Sequence, residues 1–252
     1  MKRILFSIGS YHVYGYGLMI ALGIIAACLL LEWRMRKRQM DADKALDLVI
    51  WCAVGGLLGA KVLYWITILP SILADPAVIL QNLTDGFVVY GGILGGILAG
   101  FLFCRIRKWD FLKMFDLAMP SVALGQAFGR VGCFLAGCCY GRETACAIHV
   151  VFPVDSMAPS GVPLIPTQLM SAGLNLLHCI LLILFARSVK HKDGQVAALY
   201  LICYSVGRFL LEFLRGDELR GHIGFLSTSQ FIAIFILAAG LILFFALNRK
   251  KS

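Results

Sequence analysis

Arg130 and Arg208 are charged residues inside stretches of about 20 mainly apolar residues, long enough to cross a lipid bilayer. Lys61 and Glu212 stand in such stretches as well. Ionisable side chains are costly in the apolar interior of a membrane, where they usually serve a ligand or an ion path. A guanidinium stays charged and binds phosphate through paired hydrogen bonds. No Asp or Glu lies within one helical turn of Arg130. The two arginines therefore predict a binding site for a phosphate group.

A polar stripe surrounds the second of these arginines. Tyr204, Arg208, Glu212 and Arg215 follow one another at steps of four, four and three residues, which places them on one helix face. An ion pair between Arg208 and Glu212 would lower the cost of burying both charges, and this structural alternative stays open. One carboxylate neutralises only one arginine, so the stripe keeps a net positive charge that a ligand can meet.

Four of the nine cysteines are close together in sequence, at positions 133, 138, 139 and 146. Their spacing matches neither the CxxC pairs of a zinc ribbon nor the usual iron–sulfur pattern, so we predict no metal site. On an oxidising outer face, we expect Cys146 to form a disulfide with Cys138 or Cys139. Thiol–disulfide exchange by these three residues is an alternative function.

The composition indicates that these groups belong to a membrane protein. Of 252 residues, 60% are hydrophobic and 15% are charged, with a mean hydropathy of +0.85. An average soluble domain has about 45–50% and 25%. A water-soluble fold of this length cannot bury so much apolar surface, which excludes a disordered chain and a nucleic-acid-binding domain. We predict one membrane domain that covers residues 1–252.

Seven apolar stretches are long enough to cross the bilayer, which predicts an all-α protein with seven transmembrane helices. The predicted spans are 14–32, 46–69, 86–104, 115–136, 165–186, 195–214 and 228–247. The longer connections, 70–85, 137–164 and 215–227, contain five of the seven prolines and are predicted to be outer loops.

Some residues are expected to serve the fold rather than the site. Close helix packing is predicted at glycines that stand four residues apart, namely Gly55 and Gly59, and then Gly92, Gly96 and Gly100. Helix N-caps are expected before the last span at Ser227, Thr228 and Ser229, and for the fifth span at Thr167. Asp116 lies close enough to a helix end that we expect solvent to reach it.

The basic residues predict the orientation of these helices. Fifteen of the 23 Lys and Arg residues fall in four alternate connections. These are Arg34, Arg36, Lys37, Arg38 and Lys44; Arg105, Arg107, Lys108 and Lys113; Arg187, Lys190 and Lys192; and Arg249, Lys250 and Lys251. Because basic connections stay on the cytoplasmic side, we expect the amino terminus outside and the carboxyl terminus in the cytoplasm. The net charge of +9 thus reflects topology.

This orientation places the charged residues at a common depth. Arg130 lies about 22 Å and Arg208 about 20 Å from the cytoplasmic start of its helix, at 1.5 Å per residue. Tyr16 and Tyr90, near the outer starts of their helices, fall at a similar depth. We therefore predict a polar pocket that opens toward the outer leaflet and binds an anionic lipid.

The ordered motifs of the chain resemble those of the bacterial prolipoprotein diacylglyceryl transferases over roughly residues 10–245. Gly129-Arg130-Val131-Gly132-Cys133-Phe134 is similar to the family's Gly-Arg-Ile-Gly-Asn-Phe signature. The stretch Tyr204-x3-Arg208-Phe209-Leu210-x-Glu212-Phe213-x-Arg215-Gly216-Asp217 also fits the family. Weaker similarities are Tyr16-Gly17-Leu18-Met19, Gly59-Ala60-Lys61-Val62, Gly91-Gly92-Ile93-Leu94-Gly95-Gly96 and Pro166-Thr167-Gln168-Leu169.

The resemblance implies that the protein moves a diacylglyceryl group from phosphatidylglycerol to the thiol of a lipobox cysteine in a prolipoprotein signal peptide. Glycerol phosphate is released, and neither a metal nor another cofactor is needed. The resemblance assigns lipid binding and catalysis to Arg130 and Arg208. It implies a bacterial plasma (inner) membrane, with the active site toward the outer leaflet, and membrane lipids but no nucleic acid as partners.

The remaining polar residues are expected to support this site. Tyr16, Tyr90 and Tyr204 would orient the headgroup, while Glu212 and Arg215 would hold the arginines or gate the pocket. The family's histidine before the Gly-Gly of the third helix is replaced by Tyr90, so the catalytic base is unassigned.

Three other functions remain open besides this transferase. The same lipid-binding core could transfer its group to an acceptor other than a lipobox thiol. The cysteines could exchange disulfides in the membrane. Arg208 and Glu212 could form the pathway of a lipid or ion carrier.

Overall fold

A computed structural model of the protein describes residues 4–8, 11–188, 191–217 and 221–249. Within these residues the α-helices are α1 (Gly15–Lys37), α2 (Ala45–Thr67), α3 (Leu69–Ala74), α4 (Val78–Gln81), α5 (Val89–Arg107), α6 (Phe111–Ala136), α7 (Thr167–Ser188), α8 (Gln195–Glu212) and α9 (Thr228–Arg249). A 3-10 turn at Ala42–Lys44 precedes α2. The strands form antiparallel pairs, which are β1 (Ile4–Ile8) with β2 (Tyr11–Tyr14), β3 (Val150–Val151) with β4 (Pro163–Leu164), and β5 (His222–Ile223) with β6 (Leu226–Ser227).

Six helices in the described part of the chain are long and apolar enough to cross a membrane, namely α1, α2, α5, α7, α8 and α9. Large apolar side chains such as Leu57, Leu94 and Ile242 are exposed on them, as lipid-facing residues are. The prediction of a helical, multi-pass membrane protein is therefore confirmed. The predicted span 115–136 is a helix, α6, but it is not among the six. A count of seven and the orientation of the termini stay predictions.

The chain folds as two compact units. One contains residues 1–31 and 115–252, and the other contains residues 32–114. The boundaries fall within α1 and α6. The single membrane domain stays a prediction.

In the unit formed by residues 32–114, α2 and α5 pack through glycines. A Cβ atom on Gly59 would lie 2.8 Å from the Cα atom of Gly95, and one on Gly55 would lie 2.9 Å from the Gly95 carbonyl oxygen. Any larger residue would force the two backbones apart. The sequence predicts close packing at Gly55 and Gly59 of α2, and the structure confirms it. The sequence also predicts close packing at Gly92 and Gly96 of α5. The structure instead places the tightest contact of α5 at Gly91 and Gly95.

Lys61 in the same unit holds the loop before α5. Its side chain is 8% exposed, and its Nζ atom donates to the carbonyl oxygens of Asn82 and Asp85, the latter at 2.6 Å. The Phe87 ring centroid lies 4.8 Å from the same atom. The buried charge of Lys61 is therefore satisfied by backbone carbonyls, and its role within this unit is structural.

In the unit that contains residues 115–252, α6 packs on α7 and α8. Ala123, Leu182 and Val196 are fully buried where these helices meet. Asp116 of α6 accepts hydrogen bonds from the backbone N–H groups of Gly194 and Ala197, each at 2.8 Å. A carboxylate at a helix amino terminus satisfies donors that lack a partner and complements the helix dipole. Asp116 thus fixes the start of α8. Its sequence position suggested that it would meet solvent, and this expectation is wrong.

Candidate active site

The carboxyl-terminal half of α8 carries a buried ion pair. Arg208 NH1 lies 2.8 Å from Glu212 Oε2, and these side chains are only 13% and 7% exposed. These two atoms form an ion pair, but they are not aligned for a hydrogen bond. Arg208 also donates to the hydroxyl of Ser229 at 2.8 Å, and Ser227 donates to Glu212 Oε1 at 3.0 Å. The helical spacing therefore predicts this contact correctly. The structural alternative, an ion pair between Arg208 and Glu212, is present in α8.

The start of α9 supplies the groups that hold this pair. Ser227 and Gln230 form a capping box, in which Ser227 Oγ accepts from the Gln230 N–H at 3.2 Å and Gln230 Oε1 accepts from the Ser227 N–H at 3.1 Å. The N-cap prediction for the serines before the last helix is confirmed. Because the same Ser227 hydroxyl contacts Glu212, the cap fixes the position of the carboxylate as well as the helix.

Arg215 follows α8 and forms a second ion pair. Its Nε and NH2 atoms donate to the two carboxylate oxygens of Asp217 at 2.7 and 2.5 Å, and Nε lies 4.0 Å from Glu212. Arg215 also hydrogen-bonds the thiol of Cys139. Burial disfavours the cation, but the hydrogen bonds to Asp217 and Cys139 outweigh this effect and raise the pKa of Arg215. The second arginine of the stripe therefore has its own carboxylate, Asp217, which the charge argument from sequence missed.

Cys133, Cys138 and Cys139 bring their sulfurs together at the end of α6. The three Sγ atoms lie within 4.8 Å of one another. Gly137 and Cys139 have positive φ angles of 77° and 61°, and they turn the chain back toward the last turn of α6. Hydrogen bonds with the thiols of Cys133 and Cys138, then the contact with Arg215, lower the pKa of the Cys139 thiol. We call these three residues the thiol cluster.

Two side chains of α7 hold the backbone of the thiol cluster. Thr167 donates to the carbonyl of Cys139 at 3.0 Å, and Gln168 donates to the carbonyl of Cys138 at 2.9 Å. The Thr167 hydroxyl thus serves this loop, and its predicted N-cap role stays a prediction. Farther along, Arg142 N donates to the Leu214 carbonyl at 2.9 Å. The Arg142 bond connects the loop after α6 to the segment that carries Arg215.

Arg130 lies two turns before the end of α6 and beside the thiol cluster. It is within electrostatic range of Cys133 and of Tyr16. Gly132 lets α1 approach, since a Cβ atom there would lie 3.2 Å from the Tyr16 ring. Among the residues that the structure describes, Arg130 forms no ion pair. Unlike Arg208 and Arg215, Arg130 therefore keeps a charge that no carboxylate in the described part of the chain compensates.

Tyr204 lies one turn before Arg208 and belongs to an aromatic stack. Its ring is parallel to that of Tyr200 at 5.8 Å between centroids, and Tyr200 stacks in turn on His178 of α7 at 5.0 Å. Gln126 of α6 hydrogen-bonds Tyr200. The stack connects α6, α7 and α8, and it begins one helical turn before Arg208. The sequence does not single out His178 and Tyr200, because each resembles an ordinary core residue of an apolar helix.

The last two predicted site residues are Tyr90 and Cys146. Tyr90 is in the first turn of α5, in the unit of residues 32–114, and its side chain is exposed. Its role as a headgroup ligand stays a prediction. Cys146 is exposed and is not part of the thiol cluster. The predicted disulfides of Cys146 with Cys138 or Cys139 stay predictions.

Comparison with known proteins decides the family. A model of the prolipoprotein diacylglyceryl transferases matches residues 3–246. The chain belongs to this family. It is 47% identical over 244 residues to the phosphatidylglycerol–prolipoprotein diacylglyceryl transferase of Clostridium tetani, with 97% of each chain covered. It is 46% identical over 252 residues to phosphatidylglycerol–prolipoprotein diacylglyceryl transferase 2 of Clostridium perfringens, with 100% of this chain and 97% of that protein covered.

A more distant diacylglyceryl transferase matches over a similar length. The phosphatidylglycerol–prolipoprotein diacylglyceryl transferase of Gloeobacter violaceus is 35% identical over 251 residues, with 97% of this chain and 92% of that protein covered. The family resemblance of the ordered motifs is thus confirmed over the whole chain.

Proposed function

We propose that the protein is a transferase that moves the diacylglyceryl group of phosphatidylglycerol to a cysteine thiol of a prolipoprotein. Family membership over residues 3–246 and the activity for which the relatives are named support this function. Within the site, the environment of Arg130 is the observation that carries the proposal. Arg130 forms no ion pair with any residue that the structure describes, and a guanidinium of this kind beside a tyrosine in an apolar helix bundle is the group that a lipid phosphate would neutralise.

The three arginines have different roles in this proposal. Arg130 would bind the phosphate directly, because it has no carboxylate among the described residues. Arg208, which is held in place by Glu212 and Ser229, would add its positive charge to the phosphate site. Arg215 would position the loop, because Asp217 and Cys139 occupy its guanidinium. Tyr16 and Tyr204 would orient the headgroup, and Tyr90 would donate a hydrogen bond to it.

The reaction is a substitution at a carbon atom of the glyceryl group. A bond forms between the acceptor sulfur and this carbon, while the bond from the carbon to the phosphate oxygen breaks and its electron pair leaves with glycerol phosphate. The acceptor thiol gives its proton to a base, which is unassigned because Tyr90 stands where the family has histidine. Negative charge grows on the departing phosphate, and fixed guanidinium groups stabilise it without reorganisation.

The membrane location follows from the same proposal. The protein would lie in the bacterial plasma membrane, with its amino terminus outside and its site open to the outer leaflet, as the distribution of Lys and Arg favours. The acceptor would be the lipobox cysteine of a signal peptide that reaches the site from the membrane. Seven transmembrane helices in one membrane domain fit this location if α6 also crosses the bilayer.

A transfer assay tests this function. Purified protein in detergent is incubated with phosphatidylglycerol and a lipobox peptide, and the mass of the peptide is followed. We expect a diacylglyceryl increment with the wild-type protein and none with Arg130→Gln. Arg36→Gln, an exposed arginine of α1 paired with Glu32, is the charge-matched control and keeps the activity. Peptide modification that persists in Arg130→Gln would contradict the assigned role of Arg130.

A peptide in which the lipobox cysteine is replaced by serine tests the acceptor. We expect no increment with this peptide, because an alcohol is a far weaker nucleophile than a thiolate. An equal increment would favour the alternative in which the enzyme modifies another acceptor.

A further inference from the structure

The thiol cluster at the end of α6 has a geometry that the spacing of its cysteines does not reveal. Cys133 lies on the last turn of α6, five and six residues before Cys138 and Cys139. The turn through Gly137 and Cys139 brings all three sulfurs within 4.8 Å of one another. A disulfide joins only two sulfur atoms, and here three sulfur atoms lie close together. Three such atoms can form one face of a metal coordination sphere.

We propose that Cys133, Cys138 and Cys139 bind a thiophilic d10 metal ion, Zn²⁺ or Cu(I), through their three sulfur atoms. Sulfur ligands lie about 2.3 Å from Zn²⁺, which in a tetrahedral site places them about 3.8 Å apart. The observed upper limit of 4.8 Å is compatible with this spacing after small side-chain rotations. Each neutral thiol releases its proton to solvent when it binds the metal, and no electron is transferred.

The surroundings of the thiol cluster suit a metal thiolate centre. Three thiolates and one Zn²⁺ ion carry a net charge of −1, and with Cu(I) the net charge is −2. Arg215 hydrogen-bonds Cys139, and Arg130 lies within electrostatic range of Cys133, so two cations face this negative charge. Soft thiolate ligands select Zn²⁺ and Cu(I) over the hard cations that prefer oxygen.

The backbone of the thiol cluster is already held in place without a metal. Thr167 and Gln168 bind the carbonyl groups of Cys139 and Cys138, and Gln168 is almost fully buried. A site with a fixed backbone loses little conformational freedom when an ion binds. The metal would thereby join the end of α6, next to Arg130, to the loop that contacts Arg215. This inference does not rest on the proposed lipid transfer.

Metal content of purified variants tests the site. The protein is purified in detergent under anaerobic, reducing conditions, and then titrated separately with Zn²⁺ and with Cu(I) against a chromophoric chelator. We expect one ion per chain in the wild-type protein. Replacing a residue that only hydrogen-bonds a metal ligand weakens metal binding about 10–100-fold. Cys139 is proposed to be a ligand itself, so Cys139→Ser should weaken binding by more than about 100-fold. Cys133→Ser should behave in the same way.

Cys146→Ser is the matched control, since Cys146 is an exposed cysteine of the same loop outside the cluster. It should bind the metal as the wild-type protein does. Monodisperse elution of each variant in size-exclusion chromatography shows that the loss does not come from unfolding. Wild-type protein that binds neither ion, or equal binding by Cys139→Ser, would overturn the proposal. So would a disulfide between two cluster cysteines in the anaerobic protein, identified by peptide mass, because it would assign the cluster to redox exchange.

Discussion

Replacing Glu212 with glutamine removes a negative charge that contacts both Arg208 and Arg215. The side chains of Glu212 and Arg208 are 7% and 13% exposed, so water cannot compensate the loss. Removing one partner of a buried ion pair costs about 3–5 kcal/mol, mainly because the other charge stays buried. Arg208 keeps its hydrogen bond to Ser229, and an amide oxygen still accepts from Ser227. We therefore expect a loss of about 3 kcal/mol, at the lower end of the range.

The thermal unfolding midpoint in detergent measures this effect. A change of 1 kcal/mol moves the midpoint by about 2–4 °C in a chain of this size, so Glu212→Gln should lower it by about 6–12 °C. Glu143→Gln, in an exposed position of the loop after α6, is the control and should move the midpoint very little.

A double-mutant cycle separates the ion pair from other effects of the substitution. If Arg208 and Glu212 stabilise one another, Arg208→Gln combined with Glu212→Gln should be less destabilised than the sum of the two single variants. Strict additivity, or a midpoint of Glu212→Gln that equals the wild-type value, would refute the reasoning.

Three further substitutions test the fold, each with the thermal midpoint as the measurement. Lys61→Met should lower it, since the loss of two charged hydrogen bonds to carbonyls costs about 3 kcal/mol, whereas the exposed Lys113→Met should not. Gly59→Ala should cost about 1–3 kcal/mol by forcing α2 from α5, while Gly173→Ala, with open space around it, should be neutral or stabilising. Asp116→Ala should cost about 1–2 kcal/mol and weaken amide protection in the first turn of α8. An unchanged midpoint in any of the three would contradict the contact it tests.

The sequence predicts the parts of the site that depend on local periodicity. The step of four residues from Arg208 to Glu212 places them on one face of α8, and the structure pairs them. The apolar stretches predict the long helices to within a few residues at most ends, because length and hydropathy determine which segments can cross a bilayer. The serines before the last helix predict its cap because the capping box is also local.

The contacts that the sequence misses depend on turns and on distant segments. Asp217 pairs with Arg215 only because the chain turns back after α8, which no helical spacing describes. Cys133 joins Cys138 and Cys139 through the positive φ angles between them. Thr167 has the sequence position of a cap, yet it donates to a carbonyl 28 residues earlier. Long-range partners of this kind are decided by tertiary packing rather than by local preference.

Binding of phosphatidylglycerol to Arg130→Gln tests the central claim most directly, because it measures the phosphate contact without the chemical step. The lipid is titrated into purified protein and binding is followed by native mass spectrometry, beside a diacylglycerol with the same chains. Truncating a partner of a buried charge pair costs about 2–5 kcal/mol, and 1.4 kcal/mol is tenfold, so we expect at least about 25-fold weaker binding of phosphatidylglycerol. Binding of the uncharged diacylglycerol should be unchanged. Phosphatidylglycerol that binds Arg130→Gln as tightly as the wild-type protein would contradict the claim that Arg130 holds the lipid phosphate.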